Sequence, residues 1–369
     1  MTLILIYFSL FLGLHFLAQR FKRPGAARLF QMTGCFILLF VFFGFRNITV
    51  LNDTPHYYGF YYQKAHLISY QEESIFTFHL IDKFEYGFQV LVHFLVKYVS
   101  RDAYTIIILS SLVFAIGNII FLSKNTSKIA LACFMMVVSG VYFDQFSMIR
   151  QAFAIMFFYQ AYPYLKENRY KPYTALILMA TLFHTSALIL LLLPLLKQLR
   201  ICRRNILLIF LATVLLTIFI HNIISLLGMA GTLYYKMSMK RTAPPIAAIL
   251  DGLLMVILTS VYFYSWKKEA HQEDSTDFWI CILGLCICII TPAFIPLFRL
   301  NAYIWPVVYL LFFNSMAGKR LFGLLALLLV IRISVVLTFK SEWNHIVPYS
   351  FYDFDNNFHE YHLYMQKEQ

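Results

Sequence analysis

The chain has 369 residues, 60% of them hydrophobic and 13% charged, with a formal net charge of +12 and a mean hydropathy of +0.70. Soluble domains average about 45–50% apolar and about 25% charged residues, so this composition excludes a water-soluble enzyme, a disordered tail and a fibrous repeat. The apolar residues form long runs without strict alternation, which also excludes an outer-membrane barrel.

At about 20 residues per span, the length predicts an all-α integral membrane protein, a polytopic bundle of about ten to twelve transmembrane helices. It is expected to be one domain over residues 1–369. In chain order the predicted spans are about 2–19, 29–45, 103–122, 129–148, 151–165, 205–227, 246–265, 278–297, 300–317 and 321–338. No basic residue precedes the first, while Arg20 and Lys22 follow it; it reads as a span and not as a cleavable signal. Residues 86–99 are too short to cross and carry His93 and Lys97. Residues 172–196 fit either one span or two half-helices turning near His184-Thr185-Ser186. The six cysteines lie in or beside apolar segments and form no disulfide framework. Cys286 and Cys288 are two apart on a helix and face different ways.

The positive charge sits in short clusters between apolar runs, the pattern of cytoplasmic loops and not of a nucleic-acid surface. These clusters are Arg20–Arg28, Lys124/Lys128, Lys166–Lys171, Lys197–Arg204, Lys267/Lys268 and Lys319/Arg320. All six face the cytoplasm only if 86–99 and 172–196 both fail to cross, as re-entrant or interfacial elements. They hold 17 of the 30 Lys and Arg, and the same loops hold five of the 18 acids. The inner side then carries the whole +12, and both termini face outward. A long extracytoplasmic loop at about 46–85 and a tail at about 339–369 remain outside. Both are rich in Tyr, Phe, His and acids, which suits an interfacial aromatic belt or a platform that stacks on sugar rings.

In this topology the anomalous residues are arginines at the outer ends of helices: Arg46, Arg101, Arg150, Arg241, Arg299 and Arg332. Arginine at such depth normally has a partner, and its planar fork suits phosphate or carboxylate. Each could pair with Asp53, Glu85, Asp102, Asp144 or Asp251, or snorkel; several converging would clamp a pyrophosphate. Arg46 stands seven residues before Asp53-Thr54, with Tyr57 next; Asp-Thr can also be a simple cap or turn. Arg150-Gln151 lies between two apolar runs, and Asp144 and Gln151 could share a face if the helix continued. His184 inside LFHTSALIL could be a base, a donor to phosphate, or a packing hydrogen bond to Ser or Thr. Arg299 falls in FRLNAYIW as a ligand or a turn residue. No P-loop, GxGxxG, HExxH, GxSxG or zinc-type spacing occurs. An ATP-driven pump and a nucleotide-sugar enzyme with a metal site are therefore disfavoured.

In order along the chain stand Arg46…Asp53-Thr54…Tyr57, Glu85-Tyr86-Gly87-Phe88, Ile149-Arg150-Gln151-Ala152-Phe153-Ala154, Phe183-His184-Thr185-Ser186-Ala187-Leu188, Arg299-Leu300-Asn301-Ala302-Tyr303 and Val347-Pro348-Tyr349-Ser350-Phe351. This ordered set resembles the EpsG family, which contains Wzy-like exopolysaccharide and O-antigen polymerases, over about residues 40 to 351. Asn52 departs from it, since a small residue is expected there.

The resemblance implies a metal-independent, cofactor-free glycosyltransferase in the bacterial inner membrane. It would transfer a growing glycan from undecaprenyl pyrophosphate to another lipid-linked repeat unit at the outer face. Its partners would be those lipid-linked units and the bilayer, without nucleic acid; chain-length control would need a co-polymerase. Arg46, Arg150, Gln151, Arg299 and Tyr57 become candidates for binding pyrophosphate or sugar. His184, Asp53 and Glu85 become candidates for the base, His184 first. A lipid-linked oligosaccharide flippase and a membrane polysaccharide O-acyltransferase are the alternatives.

Overall fold

A computed structural model describes residues 2–66, 74, 84–226, 246–268, 275–339 and 345–353. Arg241, residues 67–73 and 75–83 of the expected loop, and residues 340–344 and 354–369 of the expected tail lie outside the described residues.

The described chain is helical. Its α-helices are α1 (Thr2–Ala18), α2 (Pro24–Gly44), α3 (Thr54–His66), α4 (Tyr86–Tyr98), α5 (Thr105–Asn125), α6 (Ile129–Val138), α7 (Val141–Ser147), α8 (Ile149–Lys166), α9 (Tyr170–Thr181), α10 (Leu192–Lys197), α11 (Arg203–Leu226), α12 (Ile246–Lys268), α13 (Thr276–Ile290), α14 (Asn301–Asn314) and α15 (Met316–Phe339). Two 3-10 turns, Thr185–Leu191 and Ile295–Leu300, precede α10 and α14.

Among the described residues, six segments are long and apolar enough to cross a bilayer: α2, α5, α11, most of α12, Pro296–Asn314 and α15. The bent pair α6/α7 makes a seventh if counted as one span. Of the remaining predicted segments, α8 has 18 residues but is not among the candidate spans, and α1 and α13 are shorter. α1 has 17 residues and α13 has 15, about 26 and 23 Å at 1.5 Å per residue. The run expected at 129–148 is bent by 74°, because Gly140 takes a left-handed φ of 89° that glycine adopts without strain. Met148 then ends α7 before α8 begins, so no continuous helix puts Asp144 and Gln151 on one face.

Two compact units emerge from the packing. The first comprises Met1–Tyr162, Pro172–Ala187 and Gly323–Gln369; the second comprises Pro163–Lys171 and Leu188–Phe322. In the first, α2 packs on α1, α5 and α6, and α3 packs on α4 and α5. One set of polar groups inside it closes on itself. Asn118 Nδ2 donates to Gln145 Oε1 at 2.6 Å, Gln145 Nε2 to the Tyr159 hydroxyl at 3.3 Å, and that hydroxyl to Asn118 Oδ1 at 3.3 Å. A closed set of this kind removes the cost of burying amides. Arg332, expected at an outer helix end, instead lies within α15 and donates to the Ser139 carbonyl at 3.3 Å. There it neutralises the C-terminal end of α6 at the bend.

In the second unit α13 packs on α10, α11, α12 and α14. Leu207, Leu208, Leu211, Leu215, Ile218 and Phe219 of α11 are exposed. In water such a face would be untenable; against lipid it is the expected surface. Lys197 Nζ donates to the carbonyls of Leu165 and Lys166 at 2.7 and 2.9 Å. The chain leaving α8 at Lys166 therefore returns to it thirty-one residues later. The segment between is interrupted at Leu182–His184, the geometry of two half-helices that come back to the side they left.

Candidate active site

Three helix N-termini meet in the first unit. Asp53 immediately precedes α3, Glu85 caps the start of α4, and Arg150 is the second residue of α8. The Asp53 N–H donates to Ser147 Oγ at 3.3 Å, which brings the start of α3 to the α7–α8 junction. Arg150 Nη1 is ion-paired with Glu85 Oε2, its Nε reaches the Tyr57 hydroxyl at 3.4 Å, and its guanidinium lies 4.8 Å from the centre of the Phe84 ring. Each helix start contributes a partial positive charge. The side chains at this meeting are one guanidinium, Arg150, and two carboxylates, Glu85 and Asp53.

Glu85 also ties this cluster to the half-helix turn. Its Oε1 accepts from the Thr185 N–H at 3.4 Å, while the Gly87 N–H donates to the Leu182 carbonyl at 2.8 Å. Gly87 is required by that approach, since a Cβ there would stand 2.8 Å from Leu182 O and 2.9 Å from Leu182 Cβ. His184 is thereby held beside the cluster. Its Nδ1 accepts from the Ser186 N–H at 3.2 Å and lies 2.7 Å from Ser186 Oγ. The side chains of Arg150 and Glu85 are 19% and 15% exposed, so the pair keeps some access to solvent. Gln151 is buried behind it.

Arg46 has a different setting. It is 0% exposed. Its Nε donates to Thr54 Oγ1 at 3.2 Å, Nη1 to Ser111 Oγ at 3.0 Å and to the Phe43 carbonyl, and Nη2 to the Phe146 carbonyl at 3.3 Å. Burial pulls its pKa down to about 10, while Tyr104 and Tyr349 act the other way, so it stays cationic at neutral pH. With every nitrogen committed to protein acceptors, it presents no donor to a pyrophosphate. These bonds tie α2, α3, α5 and α7 together.

The C-terminal segment completes this tie. Arg46 and Phe351 form an antiparallel bridge. The Asn47 N–H donates to the Ser350 carbonyl at 2.9 Å, and the Tyr352 N–H to the Phe45 carbonyl at 2.8 Å. Tyr352 stacks on Tyr104 with centroids 3.5 Å apart, and Tyr349 on Phe42 at 4.2 Å. From there the chain runs through Leu51, buried and at a φ of 69° uncommon for leucine, directly into Asp53.

The structure thus brings together Arg150, Glu85, Tyr57, Asp53 and His184, with Gln151 adjacent in sequence. Arg299 lies in the second unit, in the 3-10 turn before α14, 6.0 Å from the Phe298 ring centre. Sequence reasoning did not give roles to Phe84, Ser147, Thr185 and Gly87. Gly87 and Thr185 had left a signal, as members of Glu85-Tyr86-Gly87-Phe88 and of the motif around His184. Among the described residues no group of three His, Cys, Asp or Glu gathers as metal ligands would.

No curated protein and no solved structure matches the chain. The family model of the EpsG family matches residues 29–351, a stretch that contains every residue of this cluster. The chain therefore belongs to the EpsG family, a Wzy-like polymerase family, and has the general role of a membrane polysaccharide polymerase.

Proposed function

We propose that this chain transfers a growing glycan from undecaprenyl pyrophosphate to another lipid-linked oligosaccharide repeat unit at the outer face of the bacterial inner membrane. The observation that carries the reading is the meeting of three helix N-termini around the partly exposed Arg150. The leaving group of such a transfer is a diphosphate that gains charge as the glycosidic bond breaks. Preorganised N–H groups, helix dipoles and a guanidinium stabilise that charge most when water is excluded. In this reading they do so without a metal. Arg150 binds the diphosphate, Glu85 and Phe84 fix its fork, and Tyr57 orients Nε. His184, Asp53 and Glu85 are the groups available to the acceptor hydroxyl. Arg299 is a second diphosphate candidate on its sequence motif alone.

Genetic complementation tests the reading. The host gene is deleted, then restored as wild type, Arg150→Ala or Arg299→Ala at matched protein level, and the surface glycan is resolved on a gel. The expected result is single repeat units in the deletion strain and a ladder restored by wild type but not by Arg150→Ala. A full ladder in the deletion strain overturns polymerisation. Loss of even the single unit points to a flippase, and an unchanged ladder lacking acyl groups to an O-acyltransferase.

A further inference from the structure

We infer that Leu51 and Ser147 are positioning residues that set the first turn of α3, and through it the Tyr57 hydroxyl, against the Arg150 guanidinium. The assignment rests on the polymerase reading above, in which Arg150 meets the diphosphate with its fork already oriented.

Tyr57 can orient Arg150 only if its hydroxyl is held in place. Its ring is buried, edge-on to Phe88 with centroids 5.5 Å apart, and 6.5 Å from the Phe84 ring. Those contacts hold the ring from the α4 side. Its placement on α3 is set by the first turn of that helix. The Tyr57 N–H donates to the Asp53 carbonyl at 3.3 Å, and the Thr54 N–H to the Leu51 carbonyl at 3.0 Å. Leu51 and Asp53 therefore supply acceptors for N–H groups at the start of the helix.

The approach to that turn is closed by its own hydrogen bonds. The Asn47 carbonyl accepts from the Val50 N–H at 3.0 Å. Asn47 Oδ1 accepts from the Thr49 N–H at 3.0 Å and from the Thr49 hydroxyl at 2.9 Å. Ile48, Val50 and Leu51 are all buried. At Leu51 φ is 69°, in the left-handed region where glycine is the unstrained choice. A leucine persists there only when its surroundings hold it, and this side chain is 0% exposed. A glycine would turn the chain equally well and leave the turn free to move. The leucine accepts backbone strain and in return anchors the chain directly before Asp53.

Ser147 supplies the second hold. It is buried, and its Oγ accepts the Asp53 N–H at 3.3 Å. It is the last residue of α7, and only Met148 separates it from the start of α8 at Ile149. Arg150 follows. The segment that grips the start of α3 is therefore the segment that delivers Arg150. The path from Arg150 to Tyr57 is short on both sides: Arg150 back to Ser147, then Asp53 forward to Tyr57. Loosening either hold moves the 3.4 Å contact between Arg150 Nε and the Tyr57 hydroxyl.

The test uses the full chain in proteoliposomes with lipid-linked repeat units isolated from the deletion strain. It reads rates of chain growth at saturating units on a gel, and folding by thermal melt in detergent. A misplacement of about 1 Å can cost up to about 10²-fold in rate. About tenfold is expected for Leu51→Gly, which keeps the turn and removes the anchor, and about threefold for Ser147→Ala. Leu51→Met keeps the apolar volume and should stay within about threefold of wild type. Tyr57→Phe should itself lose about tenfold.

The pairwise combinations decide. A residue that acts through the Tyr57 hydroxyl loses its effect once that hydroxyl is gone. Leu51→Gly and Ser147→Ala, each combined with Tyr57→Phe, should therefore be no slower than Tyr57→Phe alone. Independent roles would multiply, to about hundredfold and about thirtyfold. Multiplied losses overturn the inference and leave the polymerase reading standing. Near-wild-type rates in both Leu51→Gly and Ser147→Ala do the same. If Leu51→Gly gives no folded protein, the Ser147→Ala combination decides alone. A wild-type chain that builds no polymer overturns the polymerase reading and this assignment with it.

Discussion

Arg46 and Arg150 carry the same sequence signal, a lone arginine at the outer end of an apolar helix, yet the fold gives them opposite settings. Arg46 is sealed, its fork filled by two hydroxyls and two backbone carbonyls. Arg150 is held on one side by Glu85, Tyr57 and Phe84 and keeps solvent access on another. The difference teaches that depth in a membrane protein does not by itself mark an arginine as functional. A guanidinium fully buried with all three nitrogens bonded inside the protein is a structural tie, whereas one that is oriented and still partly exposed has the setting of a candidate ligand.

The comparison breaks most readily at Arg150. Arg150→Ala is expected to abolish the polymer ladder, a loss of about 10²–10³-fold if one charge-stabilising donor is removed, with folded protein still recovered from the membrane. Arg150→Lys should restore little, because an ammonium cannot reproduce the fork. A ladder of normal length from Arg150→Ala would erase the distinction between the two arginines.

Arg46→Ala should show the reverse. Removing one partner from a buried charged network costs about 3–5 kcal/mol, so the readout is a lower melting temperature and less folded protein. If Arg46→Ala instead melted like wild type and lost polymerisation, Arg46 would have to be returned to the site.

Gly87→Ala is the next smaller effect. The new methyl collides with Leu182 and shifts the turn that holds His184. A displacement of roughly 1 Å can cost up to about 10²-fold in rate, and about tenfold is expected for a group beside the reacting centre. Gly13→Ala, where a Cβ meets nothing within 4 Å, is the control and should leave polymer length unchanged.

The smallest effect is at the C-terminal bridge. Tyr349→Phe removes the hydroxyl that donates to the Phe42 carbonyl and keeps the stacked ring, a loss of about 1 kcal/mol in melting experiments. Polymer length should follow only where the variant approaches its unfolding temperature.

Much of this protein was legible before any coordinates. The membrane class follows from hydropathy alone, and residues 86–99 and 172–196 were marked as misfits by length and by charge. α4 has 13 residues, about 20 Å of helix. Lys197 returns to Lys166, so the second segment also has its ends on one side. The bend at Gly140 and the break at Met148 were not legible, because an apolar run reads alike whether the helix continues or turns.

Composition, span lengths and the placement of Lys and Arg are local properties, and the sequence by itself determined the environment, the helical class and the set of polar residues that depart from it. Which of those residues act together was decided only by the tertiary structure. Glu85 meets Arg150 across 65 positions and Thr185 across 100, and Arg46 meets Phe146 across 100. No periodicity reports contacts at such separations. Packing sets them, and packing decides whether a guanidinium is sealed inside the protein, as Arg46 is, or keeps part of its surface exposed, as Arg150 does.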